Sequence, residues 1–268
     1  MKKGKAISLI LMLIILVSCT KDLITPLDAD KIAVVESYLY AGDSIIKVKV
    51  TKVLPFSEDT LDATEYITGL HLQVNGADLT ESEPGIYTLD LGNKSINPDS
   101  TYYVKFRFYD DTISSSTVIP AKPTGFSLSA TTVYTDRITS TSGFPGSPMK
   151  DIDLTWDNDD YSYYYLTVEY LETTLDYINY AMEAYDLPLA ESISPLQSAG
   201  TRLGMRNFEF FGRYRVVLFK VNKDFADLYQ HLTSNSNNIT TPVTTIKNGY
   251  GVFTGMSSDT VYIQVLEN

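Results

Sequence analysis

The chain has 268 residues, with 33 acidic against 21 basic side chains and a net charge of −12. That balance argues against nucleic acid or anionic lipid head groups as partners, since both call for clustered Lys and Arg. One cysteine leaves no intramolecular disulfide, so the fold rests on its apolar core, and the length suffices for one large or two ordinary domains.

Lys2, Lys3 and Lys5 precede an apolar run from Ala6 to Val17 that only Ser8 interrupts. As a helix this run would span about 18 Å at about 1.5 Å per residue, short of the ~30 Å bilayer core, so it reads as a secretory leader. Leu16-Val17-Ser18-Cys19 resembles the lipobox of bacterial lipoproteins. The resemblance implies a signal peptide over 1–18, removal of that leader, a diacylglycerol on the Cys19 sulfur and a further acyl chain such as palmitate on the freed amine. Several chains on one residue meet the requirement for stable anchoring, so the expected partner is a membrane, held through Cys19. Without its three lysines, 18 basic residues face 33 acidic ones, a charge of −15. Residues 19–30 read as a tether. Lys21-Asp22 partly matches the acidic export signal of Bacteroidota surface lipoproteins, which leaves the periplasmic or surface leaflet open.

From Lys31 the hydrophobic period is two. Val34-Val35 leads to Tyr38-Leu39-Tyr40, Gly42-Asp43 turns, and Ile46, Val48 and Val50 alternate with polar residues. Leu70 to Val74 closes on Asn75-Gly76, a strong hairpin signal. Pro84-Gly85 opens Ile86 to Leu89, and Tyr102–Tyr109 pairs with Thr112–Ile119 around Asp110-Asp111. This strand spacing predicts a β-sandwich over 31–119. Pro120 and Pro123 mark a boundary, and a second domain is expected over 120–268. Phe126–Tyr134 reads as a strand. Ile152, Leu154 and Trp156 share the inward parity, and Asp157 to Asp160 turns the chain into Tyr161–Tyr170. Leu154-Thr155-Trp156 followed by Tyr164-x-Leu166-x-Val168 resembles the B and C strands of a fibronectin type III module.

The spacing of Leu175, Ile178, Met182 and Tyr185 then predicts an amphipathic helix of about three turns, with Thr173 or Thr174 as its cap and Pro188 beyond its end. An irregular stretch to Gly204 follows, so that about 172–204 reads as an insertion, a class of segment that often carries function. Strands are expected at Asn207–Phe211 and Tyr214–Val221, a short helix at Asp224–Leu232, and closing strands from Tyr250 to Leu266. The expected fold is mostly β: two tandem β-sandwich domains, Ig-like or fibronectin type III-like, the second with a helical insertion.

Motifs for chemistry are sparse. His71 and His231 belong to no His-Glu-x-x-His helix, and no Gly-x-Ser-x-Gly elbow occurs, so no catalytic residue or cofactor is assigned. Asp157, Asp159 and Asp160 are the weak candidates for a metal, Ca²⁺, against a plain solvated turn. Asp followed by Ser or Thr and then an apolar residue or Thr resembles the O-glycosylation sequon of periplasmic Bacteroidota proteins and occurs at five candidates, Ser44, Thr60, Ser100, Thr112 and Thr260, where composition predicts roughly two. The alternative is that Asp-Ser and Asp-Thr start turns. Tyr161, Tyr163 and Tyr165 fall on the outer face of their strand. Either the inserted helix covers them, or with Tyr177 and Tyr180 they form a recognition surface.

Val34-Val35-Glu36-Ser37-Tyr38-Leu39, Gly69 to Val74, Pro84 to Tyr87, Asp224–Leu232 and Asn248-Gly249-Tyr250-Gly251-Val252-Phe253 together resemble a family of Bacteroidota lipoproteins known as domain-of-unknown-function family 4249. The resemblance implies a cell outer membrane lipoprotein working beside a TonB-dependent transporter, with no catalytic residues to carry over. The expected function is a lipid-anchored binding or accessory module for a glycan or peptide. The alternatives are a carboxylate-dependent envelope hydrolase and a structural or adhesive surface protein.

Overall fold

The computed structural model describes residues 30–54, 64–139, 148–233 and 243–268. Residues 1–29, with the expected leader, Cys19 and nearly all of the expected tether, and Thr60 lie outside the described residues. The chain is mostly β, with 51% strand against 8% helix. Among the described residues no helix is long and apolar enough to cross a membrane.

The first half supplies β1 (Ala33–Tyr40), β2 (Ile45–Lys52), β3 (Gln73–Val74), β4 (Ala77–Asp78), β5 (Thr80–Glu83), β6 (Ile86–Asp90), β7 (Thr101–Phe108) and β8 (Asp111–Val118). Their periodicity is the cause of their placement. In β7, Tyr102, Val104 and Phe106 are buried while Thr101, Tyr103, Lys105 and Arg107 face water. Asn75 and Gly76 both have positive φ (50° and 79°), the geometry a two-residue type I′ turn needs between β3 and β4.

The second half contains β9 (Ser127–Leu128), β10 (Thr132–Thr135), β11 (Ile152–Thr155), β12 (Tyr163–Tyr170), β13 (Ala190–Leu196), β14 (Gly200–Leu203), β15 (Gly212–Val221), α1 (Lys223–Thr233) and β16 (Tyr250–Glu267). A nine-stranded sheet runs β13-β12-β15-β16-β1-β2-β6-β5, with β10 also beside β16. A four-stranded sheet β4-β3-β7-β8 and a three-stranded sheet β14-β11-β9 complete the β structure.

The 18-residue β16 joins the halves. One edge pairs in parallel with β1 over Tyr250–Met256 and then with β10 over Gln264–Glu267. The other edge pairs antiparallel with β15 from Met256 to Val265. Gly251 makes the first pairing possible: its φ is +104°, and a Cβ there would lie 2.0 Å from the Val35 carbonyl oxygen. Buried side chains form two clusters. One holds Val35, Val48, Tyr87 and Phe106 and recruits Ile246 and Phe253 from the far end of the chain. The other surrounds Trp156, Tyr164, Tyr214 and Ile263. Polar groups at the junction are paired: Asn222 Nδ2 donates to Thr117 Oγ1 (3.0 Å) and the Val118 carbonyl (2.9 Å), and the Gly255 N–H donates to Thr117 Oγ1 (3.0 Å).

Several expectations are corrected. The helix expected over 173–185 is one 3₁₀ turn, Tyr180–Ala184. Ile178 N–H donates to the Glu209 carbonyl (3.0 Å) and Phe211 N–H to the Asp176 carbonyl (2.7 Å), so this backbone is satisfied across chains of sequence rather than four residues back. The stretch expected to be irregular contains β13, an edge strand on β12, and β14, which pairs with β11. Ala190–Leu196 carries little hydrophobic alternation because an edge strand needs little, and its Pro195 is tolerated there. Residues 172–204 thus supply β13 to the nine-stranded sheet and β14 to the three-stranded one, and are not a helical insertion. Phe126–Tyr134 divides into β9 and β10 in different sheets. The strand expected at Asn207–Phe211 begins as a 3₁₀ turn, Met205–Asn207, and keeps one bridge, Phe210 to Tyr177.

Candidate functional site

The tyrosines singled out by sequence fall in separate places. Tyr161, 75% exposed, occupies a left-handed turn position (φ 53°) before β12, and Tyr163 is half-buried. Tyr165 enters an aromatic cluster with Phe219 of β15 and with Phe225 and Tyr229 of α1, at ring-centroid distances of 6.1, 5.3 and 5.6 Å. Its hydroxyl donates to Ser192 Oγ at 2.6 Å. The cover over this face is therefore α1 and not a helix over 173–185. The same helix packs Phe225 edge-on against Tyr38 of β1 (6.3 Å), and burial pushes the Tyr38 and Tyr40 hydroxyls up from their ordinary pKa.

Tyr177 and Tyr180 lie beyond the opposite end of β12, about 20 Å away at 3.3 Å per residue. Tyr177 packs edge-on against Phe210 at 5.0 Å, and Tyr180 faces the Arg137 guanidinium at 5.1 Å. Arg137 is held by Asp176 and Glu267, each at 2.6 Å, and these carboxylates hold the guanidinium still more firmly protonated. These two tyrosines serve a structural clasp and do not join Tyr161, Tyr163 and Tyr165 in one surface.

Asp157, Asp159 and Asp160 do not converge on a cation. Asp160 accepts from Lys220 Nζ (2.8 Å) and the Ser162 N–H (3.2 Å), and these bonds hold its carboxyl down at about 2. The stability it adds is present above about pH 4 and is lost as the pH falls through about 2. At 61% exposure the pair amounts to no more than about 1 kcal/mol. Among the described residues no group of three or more His, Cys, Asp or Glu could hold a metal ion.

Of the glycosylation candidates, Ser44, Thr112 and Thr260 are exposed and Ser100 is half-buried. Ser44, Ser100 and Thr112 sit at strand starts, where Asp-Ser or Asp-Thr serves a turn. Thr260 lies within β16, where the turn explanation does not hold. His71, exposed, contacts Asp78 Oδ1 through Nε2 at 2.9 Å.

Described residues line three clefts, of which one, about 420 Å³, lies beside Thr132 and Tyr134 of β10 with Lys150, Asp151 and Asp153 on its wall. An open one of about 470 Å³ lies between Ile46, Leu89 and Leu91 on one side and Val74, Asn75 and Tyr102 on the other. A smaller one of about 200 Å³ brings Glu191 and Glu209 beside Tyr170 and Tyr214. Burial, and then the nearby Glu191, raise the Glu209 carboxyl above its ordinary pKa. Glu191 accepts from Asn207 Nδ2 at 2.9 Å and sits on the edge strand β13 opposite the inward-facing Val168, and inward charges of that kind keep sheet edges from pairing with other chains.

The surface with the most open chemistry is one the sequence reading did not select. Beyond α1, no helix or strand among the described residues lies across the outer face of β12-β15-β16-β10. Register places Glu169 opposite Arg215, Arg215 opposite Tyr262, Arg213 opposite Gln264, and Gln264 opposite Thr132, all pointing outward. Tyr134 follows two residues after Thr132 on the same face. Tyr134 is 53% and Tyr262 45% exposed. From the register they stand about 14 Å apart. Arg213 lies over the Tyr262 ring at 4.4 Å, and Arg215 pairs with Glu169. This arrangement offers ring faces, a guanidinium and amide and hydroxyl groups without enclosing a small molecule. Alternation in Arg213-Tyr214-Arg215-Val216 marks both arginines as outward, but the neighbouring β10 is a parallel partner distant in sequence, and no local pattern announces it.

The chain matches no protein-family model, and no curated protein matches it significantly.

Proposed function

We propose that this protein is a lipid-anchored outer-membrane binding module that holds an extended glycan on the outer face of β12-β15-β16-β10. The observation that carries the reading is a pair of exposed tyrosines, Tyr134 and Tyr262, on a sheet face that α1 leaves uncovered. Exposed rings on such a face are costly to leave in water unless something uses them, and an aromatic ring with nearby amides and hydroxyls suits a sugar's apolar face and its rim of hydroxyls. The anchor is Cys19, and the likeness to the family 4249 lipoproteins supports a place beside a TonB-dependent transporter. Two separate clusters of buried side chains support sandwich-like halves of Ig or fibronectin type III character, which here share a sheet through β16.

Two experiments test the reading. Cys19→Ala is expected to move the protein from the membrane pellet to the soluble or unprocessed fraction; continued membrane association after correct cleavage would contradict the anchor. Tyr134→Ala with Tyr262→Ala is expected to abolish retention on immobilised envelope and plant-type glycans, with the melting temperature changed by no more than about 2 °C because both rings are exposed. Unchanged retention by the double variant would contradict the face. A hydrolase is favoured by one observation, the Glu191–Glu209 pair, and release of reducing ends from the retained glycans would support it.

A further inference from the structure

We propose that the polymer held on this face is acidic, a glycan bearing carboxylates of the uronate type. The inference rests on the reading of the face as a glycan surface and adds the charge of its ligand. Arg213 is the reason. Its guanidinium lies on the Tyr262 ring, 4.4 Å from the centroid, and no described carboxylate lies within ion-pair distance of it. Three other arginines are neutralised, Arg215 by Glu169, Arg137 by Asp176 and Glu267, and Arg202 by Asp153, and of the described arginines without such a pair only Arg213 lies on this face. Glu172, the acid nearest in the hydrogen-bond network, accepts from the Arg213 backbone N–H (3.3 Å) and not from its guanidinium.

Stacking on Tyr262 fixes the plane of Arg213 before a ligand arrives. A planar, pre-oriented fork of N–H donors matches a carboxylate with two parallel hydrogen bonds, and a neutral sugar makes no use of that charge. On the face Gln264 stands opposite Arg213, with Thr132 beyond it, and the Arg215–Glu169 pair is internally neutral; the nearby acids are Glu172, held by the Arg213 backbone N–H, and, at the Tyr134 end, Asp151 and Asp153 beside Lys150. The acidic remainder of the chain repels a polyanion only weakly, because screening at physiological salt limits exposed charges to about 8 Å. Tyr134, about 14 Å from Tyr262, places a second contact beyond the reach of a single sugar, so the ligand is a chain and not a free uronic acid. Arg213 gives charge recognition, Tyr134 a stacking surface, and Gln264 and the threonines hydrogen bonds to hydroxyls.

The test titrates the detergent-solubilised full chain with polygalacturonate and alginate, with the same polymers after reduction of their carboxylates to alcohols, and with poly-glutamate. Binding of an acidic glycan is expected to fall about ten- to hundredfold on carboxylate reduction, the effect of one lost charge-assisted contact. Arg213→Gln is expected to bring the native polymer down to the level of the reduced one without changing the melting temperature. Arg213→Lys is expected to recover only part of the difference, because an ammonium keeps the charge and loses the fork. Equal affinity for native and reduced polymers would overturn the acidic ligand while leaving a glycan face standing. Poly-glutamate binding as tightly as the polyuronates would overturn it in favour of acidic peptide. No binding of any polymer would overturn both this inference and the proposed function.

Discussion

Gly251→Ala is expected to destabilise the protein by about 2–5 kcal/mol, from the strain of a positive φ and from overpacking together. For a chain of this size that corresponds to a fall of roughly 5–15 °C in the melting temperature. The added Cβ would lie 2.0 Å from the Val35 carbonyl oxygen and 2.9 Å from the Val35 nitrogen, so β1 would have to leave β16. That separation would break the parallel ladder from Val34–Tyr250 to Tyr40–Met256 and open the first core where Phe253 enters it. Gly42→Ala is the control. Gly42 also has a positive φ, +96°, but nothing lies within 4 Å of its Cβ position, so only conformational strain of about 1 kcal/mol is expected. Thermal melts of the two variants check the argument, and equal losses would show that the approach of β1 is not what requires glycine at Gly251.

Trp156→Ala is expected to cost about 3–5 kcal/mol, the range for truncating a large buried aromatic residue. The indole is 3% exposed and packs against Tyr164 and Phe126, with ring centroids 5.5 and 6.4 Å away. Its Nε1 is buried without a hydrogen-bond partner among the described residues. Trp156→Phe is therefore expected to lose less than its volume suggests, because it removes an unmet donor whose burial costs about 1–3 kcal/mol. Denaturant melts of both variants give the comparison. An unchanged midpoint for Trp156→Ala would contradict its place in the second core.

Where one face of a strand is buried, the chain announces it. Period-two alternation locates Ile46, Val48 and Val50, the β7–β8 hairpin, and the inward set Tyr164, Leu166, Val168 and Tyr170, and α1 follows its own hydrophobic spacing. Legibility fails where long-range pairing decides. Leu175, Ile178, Met182 and Tyr185 have helical spacing, yet strand-like bridges to the Glu209–Phe211 segment win over local preference. β13 and β14 carry too little apolar pattern to be read as strands. Gly251 and Gly255 in β16 and Gly249 just before it are a usable sign of close backbone approach, but nothing in their spacing names the partners, β1 at Gly249 and Gly251 and Val118–Ile119 at Gly255. The candidate face is hidden for the same reason. Each of its strands shows outward polar residues, while the placing of Thr132 opposite Gln264 and of Tyr134 opposite Leu266 depends on β10 pairing with the last residues of β16.

The most direct measurement of the central claim is a backbone amide chemical-shift map of the protein titrated with polyuronate oligomers. The account predicts shifts concentrated at Thr132–Tyr134, Arg213–Arg215 and Tyr262–Gln264, with the aromatic cluster under α1 and the Asn93–Asn97 rim of the first-half cleft unmoved. Shifts centred on that rim or on Glu191 and Glu209, with the face of β12-β15-β16-β10 silent, would contradict it.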